Sequence, residues 1–297
     1  MNSFQEPSPW PGSPGLERAD RWKLRSETLR VGRLPLLMGI INVTPDSFAD
    51  GGRFLDPAAA IEHGLQLAAQ GADILDVGGQ STRPYSTPVE ADEELRRVMP
   101  VVGPLCEKTP VPVSIDTSKA VVAREAIAAG AQIVNDVTAL TGDPAMIELA
   151  ATSGVGVCAM HMLGNPETMQ ENPTYDDVVQ EVSDFLRARR DVLTAAGIEP
   201  ARIALDPGIG FGKTTEHNLA LLSEAWRLHS LGCPIVVGHS RKGFIGRVLD
   251  DNEADRTAGT IGVALSLARQ GVQILRVHDV GPVRQAMLLF AETGGLG

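Results

Sequence analysis

From residue 34 onward, eight short apolar runs alternate with longer amphipathic segments, and few folds accept that rhythm. The runs are LPLLMGIINV (34–43), ADILDVGG (72–79), VPVSIDT (111–117), QIVNDVTA (132–139), VGVCAMHM (155–162), RIALDPGIG (202–210), CPIVVGHS (233–240) and QILRVHDV (273–280). They are short, rich in β-branched residues and show little polar alternation, as expected of parallel strands buried on both faces. The stretches between them carry helix grammar. In DPAAAIEHGLQLAAQG, Asp56 is placed to cap, Pro57 to open and Gly71 to stop a helix whose apolar side is Ala58, Ile61, Leu65 and Ala68. VEADEELRRVMPVVGPL, SKAVVAREAIAAG, YDDVVQEVSDFLRARRDVLTAAG and EADRTAGTIGVALSLARQG follow similar rules, and several close on glycine.

Eight strand–helix units over about 260 residues predict an α/β fold, a single-domain (β/α)8 TIM barrel spanning residues 34–297. A doubly wound open sheet is the alternative, but it would usually carry a phosphate-binding glycine fingerprint after its first strand, and none is present. Residues 1–33 are expected to form an N-terminal arm across the barrel bottom or a short hairpin, with about the first 15 lacking fixed structure.

Polar residues fall at the C-terminal ends of these runs: Asn42, Asp76, Asp116, Asn135 with Asp136, His161, Asp206, Ser240 with Lys242, and Arg276 with His278. A single aspartate there reads as a helix cap. Eight ends together converge on the one barrel mouth where active sites of this fold are built. Asp206, Asp116 and Asn135 offer acceptors suited to a flat heterocycle with an amino group beside a ring N–H. Arg83, Lys242, Arg276 and His278 supply positive charge for a phosphate or pyrophosphate, and Asn42 is a neutral oxygen able to join a Mg²⁺ shell. A transfer reaction with a pyrophosphate-type leaving group fits this set.

Other chemistries fit less well. DPGIGFGK (206–213) fails the P-loop spacing because Pro207 stands where its first glycine belongs. Lys242 as a Schiff-base nucleophile has only one adjacent cation, Arg241, to activate it. Cys106, Cys158 and Cys233 are too few and too scattered for a disulfide framework or a zinc site. The balance of 26 basic against 37 acidic residues, −11 net, argues against nucleic acid or an anionic membrane as partner. The N-terminal stretch lacks the apolar core of a signal peptide and no run is long enough to span a bilayer, so a cytoplasmic protein is expected.

In order along the chain, MGIINVTPDSFADGG (38–52), DVGGQSTRP (76–84), SIDT (114–117), NDV (135–137), MHMLGNPETMQ (160–170), DPGIGFGK (206–213), GHSRKGFIG (238–246) and RVHDV (276–280) resemble the dihydropteroate synthase family. The resemblance implies a (β/α)8 barrel that forms a homodimer. It would join p-aminobenzoate to 6-hydroxymethyl-7,8-dihydropterin diphosphate, releasing pyrophosphate, with Mg²⁺ as cofactor and sulfonamides as competitors. By the same resemblance, Asp116, Asn135, Asp206, Lys242 and Met160 would bind the pterin. Asn42 (through Mg²⁺), Thr82, Arg276 and His278 would bind the diphosphate. Thr82, Arg83, Pro84, Phe211 and Ser240 would bind p-aminobenzoate, and Asp116, Lys242 and Arg83 would be catalytic, with Arg241 beside the pterin ring. The implied mechanism breaks the C–O bond to diphosphate first and needs no strong general base. The alternative is a pterin-binding relative that is non-catalytic or acts on a different substrate. The chain departs from the family at Gln80, where glutamate is usual, at Tyr85, where glycine follows the proline, and at Gly243, where serine is frequent. Those departures predict weaker support for the second loop and a reshaped aminobenzoate pocket.

Overall fold

The computed structural model describes residues 18–44, 56–81, 86–164 and 168–296. Residues 1–17, which include the first 15 or so expected to lack fixed structure, lie outside the described residues, as do Thr82, Arg83, Pro84 and Tyr85. The chain opens with an antiparallel hairpin, β1 (Arg21–Lys23) and β2 (Thr28–Arg30). Eight parallel strands follow: β3 (Leu36–Asn42), β4 (Ile74–Gly78), β5 (Val113–Asp116), β6 (Ile133–Asp136), β7 (Gly156–Met160), β8 (Ile203–Asp206), β9 (Val236–Gly238) and β10 (Ile274–Val277). From β3 to β8 each pairs with the next in sequence, β9 pairs with β10, and β10 returns to β3. The ring closes between β8 and β9 through one bridge, Leu205 with Ile235, where the Leu205 amide donates to the Pro234 carbonyl at 2.9 Å. The expected barrel is therefore present.

Helices α1 (Pro57–Ala69), α2 (Ala91–Lys108), α3 (Ala120–Ala128), α4 (Pro144–Ser153), α5 (Val178–Ala195), α6 (Thr215–Ser223), α7 (Gly243–Val248), α8 (Thr257–Arg269) and α9 (Val280–Glu292) lie on the outside. Their starts have local chemical causes. Asp56, Asp143 and Asp177 each accept backbone N–H groups of the first turn, and Thr214 with His217 forms a capping box. In α1 the buried stripe is Ala60, Gly64 and Leu67. The expected Ile61, Leu65 and Ala68 flank it half-buried, and Ala58 is exposed. The stripe is rotated because β3 and α2 press closest at Gly64, where an added Cβ would lie 2.8 Å from Leu105 and 2.9 Å from Ile41.

Strand periodicity divides the core in two. Outward positions such as Leu37, Ile41, Leu75, Val77, Ile115, Val134, Leu205 and Val237 pack under the helices. Inward positions Met38, Ile74, Ile133, Cys158, Ala204, Val236 and Ile274, from every strand but β5, form the lowest interior layer. Trp22 and Leu24 of the hairpin close that layer from below, and the Trp22 indole donates to the Arg202 carbonyl at 2.8 Å. The arm and the hairpin expected for the N-terminus are thus one element, a plug. Replacing the fully buried Trp22 by alanine is expected to cost about 3–5 kcal/mol in guanidinium unfolding. A cost under about 1 kcal/mol would show that the plug is dispensable.

Candidate active site

The same periodicity builds the mouth. One step of two residues up from the lowest layer brings Asp76, Asn135, Met160, Asp206, Gly238 and Arg276 to the inside, with Asp116 beside them on β5. Asp136 has the opposite parity. Its carboxylate accepts from the Thr138 amide and hydroxyl, both at 2.7 Å, and from the Leu140 amide at 3.2 Å. It ties down its own loop and is not a mouth residue, although it stands at a strand end.

Arg276 is the hub. Its Nε donates to Asp76 Oδ2 at 2.6 Å and its Nη2 to Asp116 Oδ2 at 2.8 Å. Asn135 Nδ2 donates to the same Asp76 oxygen at 3.1 Å, which fixes the amide and leaves Asn135 Oδ1 as the acceptor. Asp76 is wholly buried, and its Oδ1 has no hydrogen-bond partner. Burial works against the charge on Arg276, but Asp76 and Asp116 outweigh it and hold the guanidinium above its ordinary value. Burial pushes the Asp116 carboxyl up to about 7, opposed by Arg276 and reinforced by Asp76. Asp206 is likewise raised, chiefly by burial, although its Oδ1 accepts the Gly208 amide at 2.7 Å. The mouth therefore holds carboxyl groups whose ionised forms are poorly solvated and which gain from a ligand donor.

Facing them is a loop after β8. Glycines at positive φ (Gly208, Gly210 and Gly212) let it turn tightly, and an added Cβ on Gly208 would collide with the His161 carbonyl. Its carbonyls from Ile209 to Gly212 are each taken by a different side chain. Lys242 holds Ile209, Gln170 holds Gly210 at 2.8 Å, Lys213 holds Phe211 at 2.9 Å, and Tyr175 holds Gly212 at 2.8 Å. Lys242 Nζ also lies 4.5 Å from the centre of the Phe211 ring. Burial lowers the Lys242 amine to about 8, against the pull of Asp206. Beyond β9, Ser240 Oγ accepts the His278 amide at 3.2 Å and lies 3.0 Å from His278 Nδ1, so these two residues form one contact. Arg241, in left-handed conformation, directs its guanidinium at Asp279 with contacts of 2.9 and 2.6 Å.

The structure thus brings Asp116, Asn135, Asp206, Lys242, Arg276, Met160 and Phe211 to one end of the barrel, with Ser240 and His278 beside them. Asn42, half-buried, ends β3 opposite Gly78. Thr82, Arg83 and Pro84 lie outside the described residues. The Gln80 amide oxygen accepts Lys119 Nζ at 2.5 Å. Lys119 is held in turn by the buried Glu94. Among the residues without an expected role, Asp76, Lys213, Lys119 and Glu94 make central contacts. Asp76 carried a signal in its position at a strand end, and Lys213 had one in its motif. Lys119 and Glu94 had none. Among the described residues no group of three or more His, Cys, Asp or Glu side chains is arranged to hold a metal, and no helix is long and apolar enough to cross a membrane. Cys106, Cys158 and Cys233 are free thiols.

The model of the pterin-binding enzyme family matches residues 38–278. The chain is 44% identical over 259 residues to the dihydropteroate synthase of Escherichia coli K12, covering 87% of this chain and 92% of that one. A Yersinia pestis dihydropteroate synthase solved with a sulfonamide drug superposes with a TM-score of 0.87 at 42% identity, covering 92% of this chain and 98% of that one. A Xanthomonas albilineans dihydropteroate synthase solved with 4-aminobenzoic acid gives 0.85 at 44% identity, covering 93% and 98%. The Xanthomonas albilineans enzyme in complex with 7,8-dihydropteroate gives 0.82 at 42%, covering 92% and 98%.

Proposed function

This chain belongs to the pterin-binding enzyme family, and from that premise we propose how its residues divide the work of a dihydropteroate synthase. The enzyme is a transferase of folate biosynthesis. It condenses 6-hydroxymethyl-7,8-dihydropterin diphosphate with p-aminobenzoate to 7,8-dihydropteroate and pyrophosphate. The observation that carries the reading is that poorly solvated carboxyl groups, two of them paired with Arg276, share one mouth with Lys242.

On this reading, Asp206 and the Asn135 oxygen receive the pterin's amino and ring N–H donors, with Asp116 against the ring and Met160 packed beside it. Lys242 donates to the pterin carbonyl and ring nitrogen. Arg276, His278 and Thr82 bind the diphosphate, and Thr82, Arg83, Pro84, Phe211 and Ser240 hold p-aminobenzoate. The C–O bond to diphosphate breaks with its electron pair leaving on pyrophosphate, and the resulting pterin cation is stabilised by the carboxylates below it. The aniline nitrogen then attacks that carbon and releases one proton. The residues contribute by positioning and by fixed charge, which is worth most where water is excluded. Arg83, Lys242 and Asp116 are the groups assigned to the reacting atoms.

Asn42 offers a single neutral amide oxygen, and no acidic cluster competes for a cation among the described residues. That donor set fits a Mg²⁺ that arrives on the diphosphate and keeps its waters. When bound, the ion would neutralise charge developing on the leaving pyrophosphate. A homodimer is consistent with exposed Val248, Leu249, Leu288 and Leu289 in the C-terminal third, and a cytoplasmic location with the composition.

The assignment of Lys242 as a cationic donor has a pH signature. Because its amine is lowered to about 8, the charged form is lost as pH rises through that value. The kcat/KM for pterin diphosphate should therefore fall about tenfold per pH unit above 8. Lys242→Arg should keep its charge past pH 10 and flatten this limb. An unchanged alkaline limb in the variant would contradict the assignment.

A further inference from the structure

Lys213 is an amine that the reaction leaves unused. Its side chain is almost fully buried, at 1% exposure, and both its acceptors are neutral: His161 Nδ1 at 2.9 Å and the Phe211 carbonyl at 2.9 Å. His161 is neutral because burial pushes its ring down to about 3. Phe185 packs edge-on against that ring, with centroids 4.9 Å apart. Burying an amine without a hydrogen-bonded counter-ion is unfavourable, and an apolar side chain of the same length would fill the volume without that penalty. What Lys213 adds is a link between the end of β7 and the loop after β8. The link lands on Phe211, whose ring lies 4.5 Å from Lys242. Gln170 and Tyr175 fix the neighbouring carbonyls from outside the loop, whereas Lys213 fixes its own loop from within.

We propose that Lys213 is a positioning residue that aims Phe211 into the aminobenzoate side of the site, using His161 as its anchor. This rests on the reading of Phe211 as part of the p-aminobenzoate pocket. Lys213 itself touches neither substrate. Its effect reaches the reaction through the Phe211 backbone.

Lys213→Met keeps the length of the chain and removes the link. It should raise KM for p-aminobenzoate about tenfold while KM for pterin diphosphate changes less than about threefold. In a Phe211→Ala background the same substitution should add less than about twofold, since two residues acting through one contact are not additive. His161→Leu should reproduce the Lys213→Met pattern, and His161→Asn, which restores an acceptor near the Nδ1 position, should recover most of the loss. If Lys213→Met melts too low to assay, the two His161 variants carry the test. Equal rises in both KM values would overturn the proposal, as would an undiminished effect of Lys213→Met without the Phe211 ring. If the unmodified enzyme shows no turnover, the functional reading fails first. The proposal is then decided by calorimetric binding of p-aminobenzoate to the same variants, with the same tenfold loss required.

Discussion

An Asp206→Asn enzyme is expected to lose about 100- to 1,000-fold in kcat/KM for the pterin diphosphate while melting no lower than the unmodified protein. The two halves of this expectation have one cause. Asp206 sits buried at the end of β8, and that burial raises its pKa, so its charge is a cost to the empty fold. The asparagine keeps an oxygen for the Gly208 amide, now 2.7 Å from Asp206 Oδ1, and removes a poorly solvated charge. The bound pterin loses a charge-assisted acceptor for two donors, each such bond being worth about 1.5–3 kcal/mol. Residues that weaken an empty fold and strengthen a complex are what a binding site requires. Asp206→Ala should abolish a saturable pterin titration. A variant that binds pterin normally would remove Asp206 from the site, and one that binds weakly only because it unfolds would show this in its melt.

The second large effect is on stability. Arg276→Met should lower stability by about 3–5 kcal/mol, because it strips the counter-charge from the buried Asp76 and the half-buried Asp116 at once. Asp76 is left with only the Asn135 amide on its Oδ2 and nothing on its Oδ1, and Asp116 loses its 2.8 Å partner. For a chain of this size that corresponds to a fall in Tm of about 10 °C. Arg276→Lys should recover only part of it, since one ammonium cannot span both carboxylates as the guanidinium fork does. Removing the orphaned charge as well, in Asp76→Asn/Arg276→Met, should restore stability without restoring turnover. If the single variant melts normally, the hub described for the mouth does not hold it together.

Much of the fold was legible because strand identity and strand ends are local properties. Short β-branched runs separated by capped helices leave little besides a barrel, and period-two alternation carries Asp116, Asn135, Asp206 and Arg276 to one interior. What sequence could not give is which of those ends pair. Asp76 and Arg276 are 200 positions apart, and only barrel closure makes them partners. Parity also separates Asp136 from Asn135, but only once the strand's facing is known. Lys213 illustrates the limit from the other side. In the chain it resembles the lysine of a phosphate loop, whereas in the fold it is covered by the loop it belongs to and bonded to His161, 52 positions earlier. The rotated stripe of α1 has the same origin, since closeness of approach at Gly64 is set by β3 and α2. At Gln80 the amide oxygen accepts from Lys119 Nζ, a partner 39 positions away that no local reading of the chain supplies.

The reaction of this barrel is transfer of the pterin methylene from diphosphate to an arylamine. It is tested most directly by following pyrophosphate and 7,8-dihydropteroate together, with purified protein, both substrates and Mg²⁺. One pyrophosphate released per dihydropteroate formed, with formation dependent on p-aminobenzoate and lost in Asp206→Ala, is the predicted result. Saturable pterin diphosphate binding with no dihydropteroate formed would contradict it and leave a pterin-binding protein without this activity.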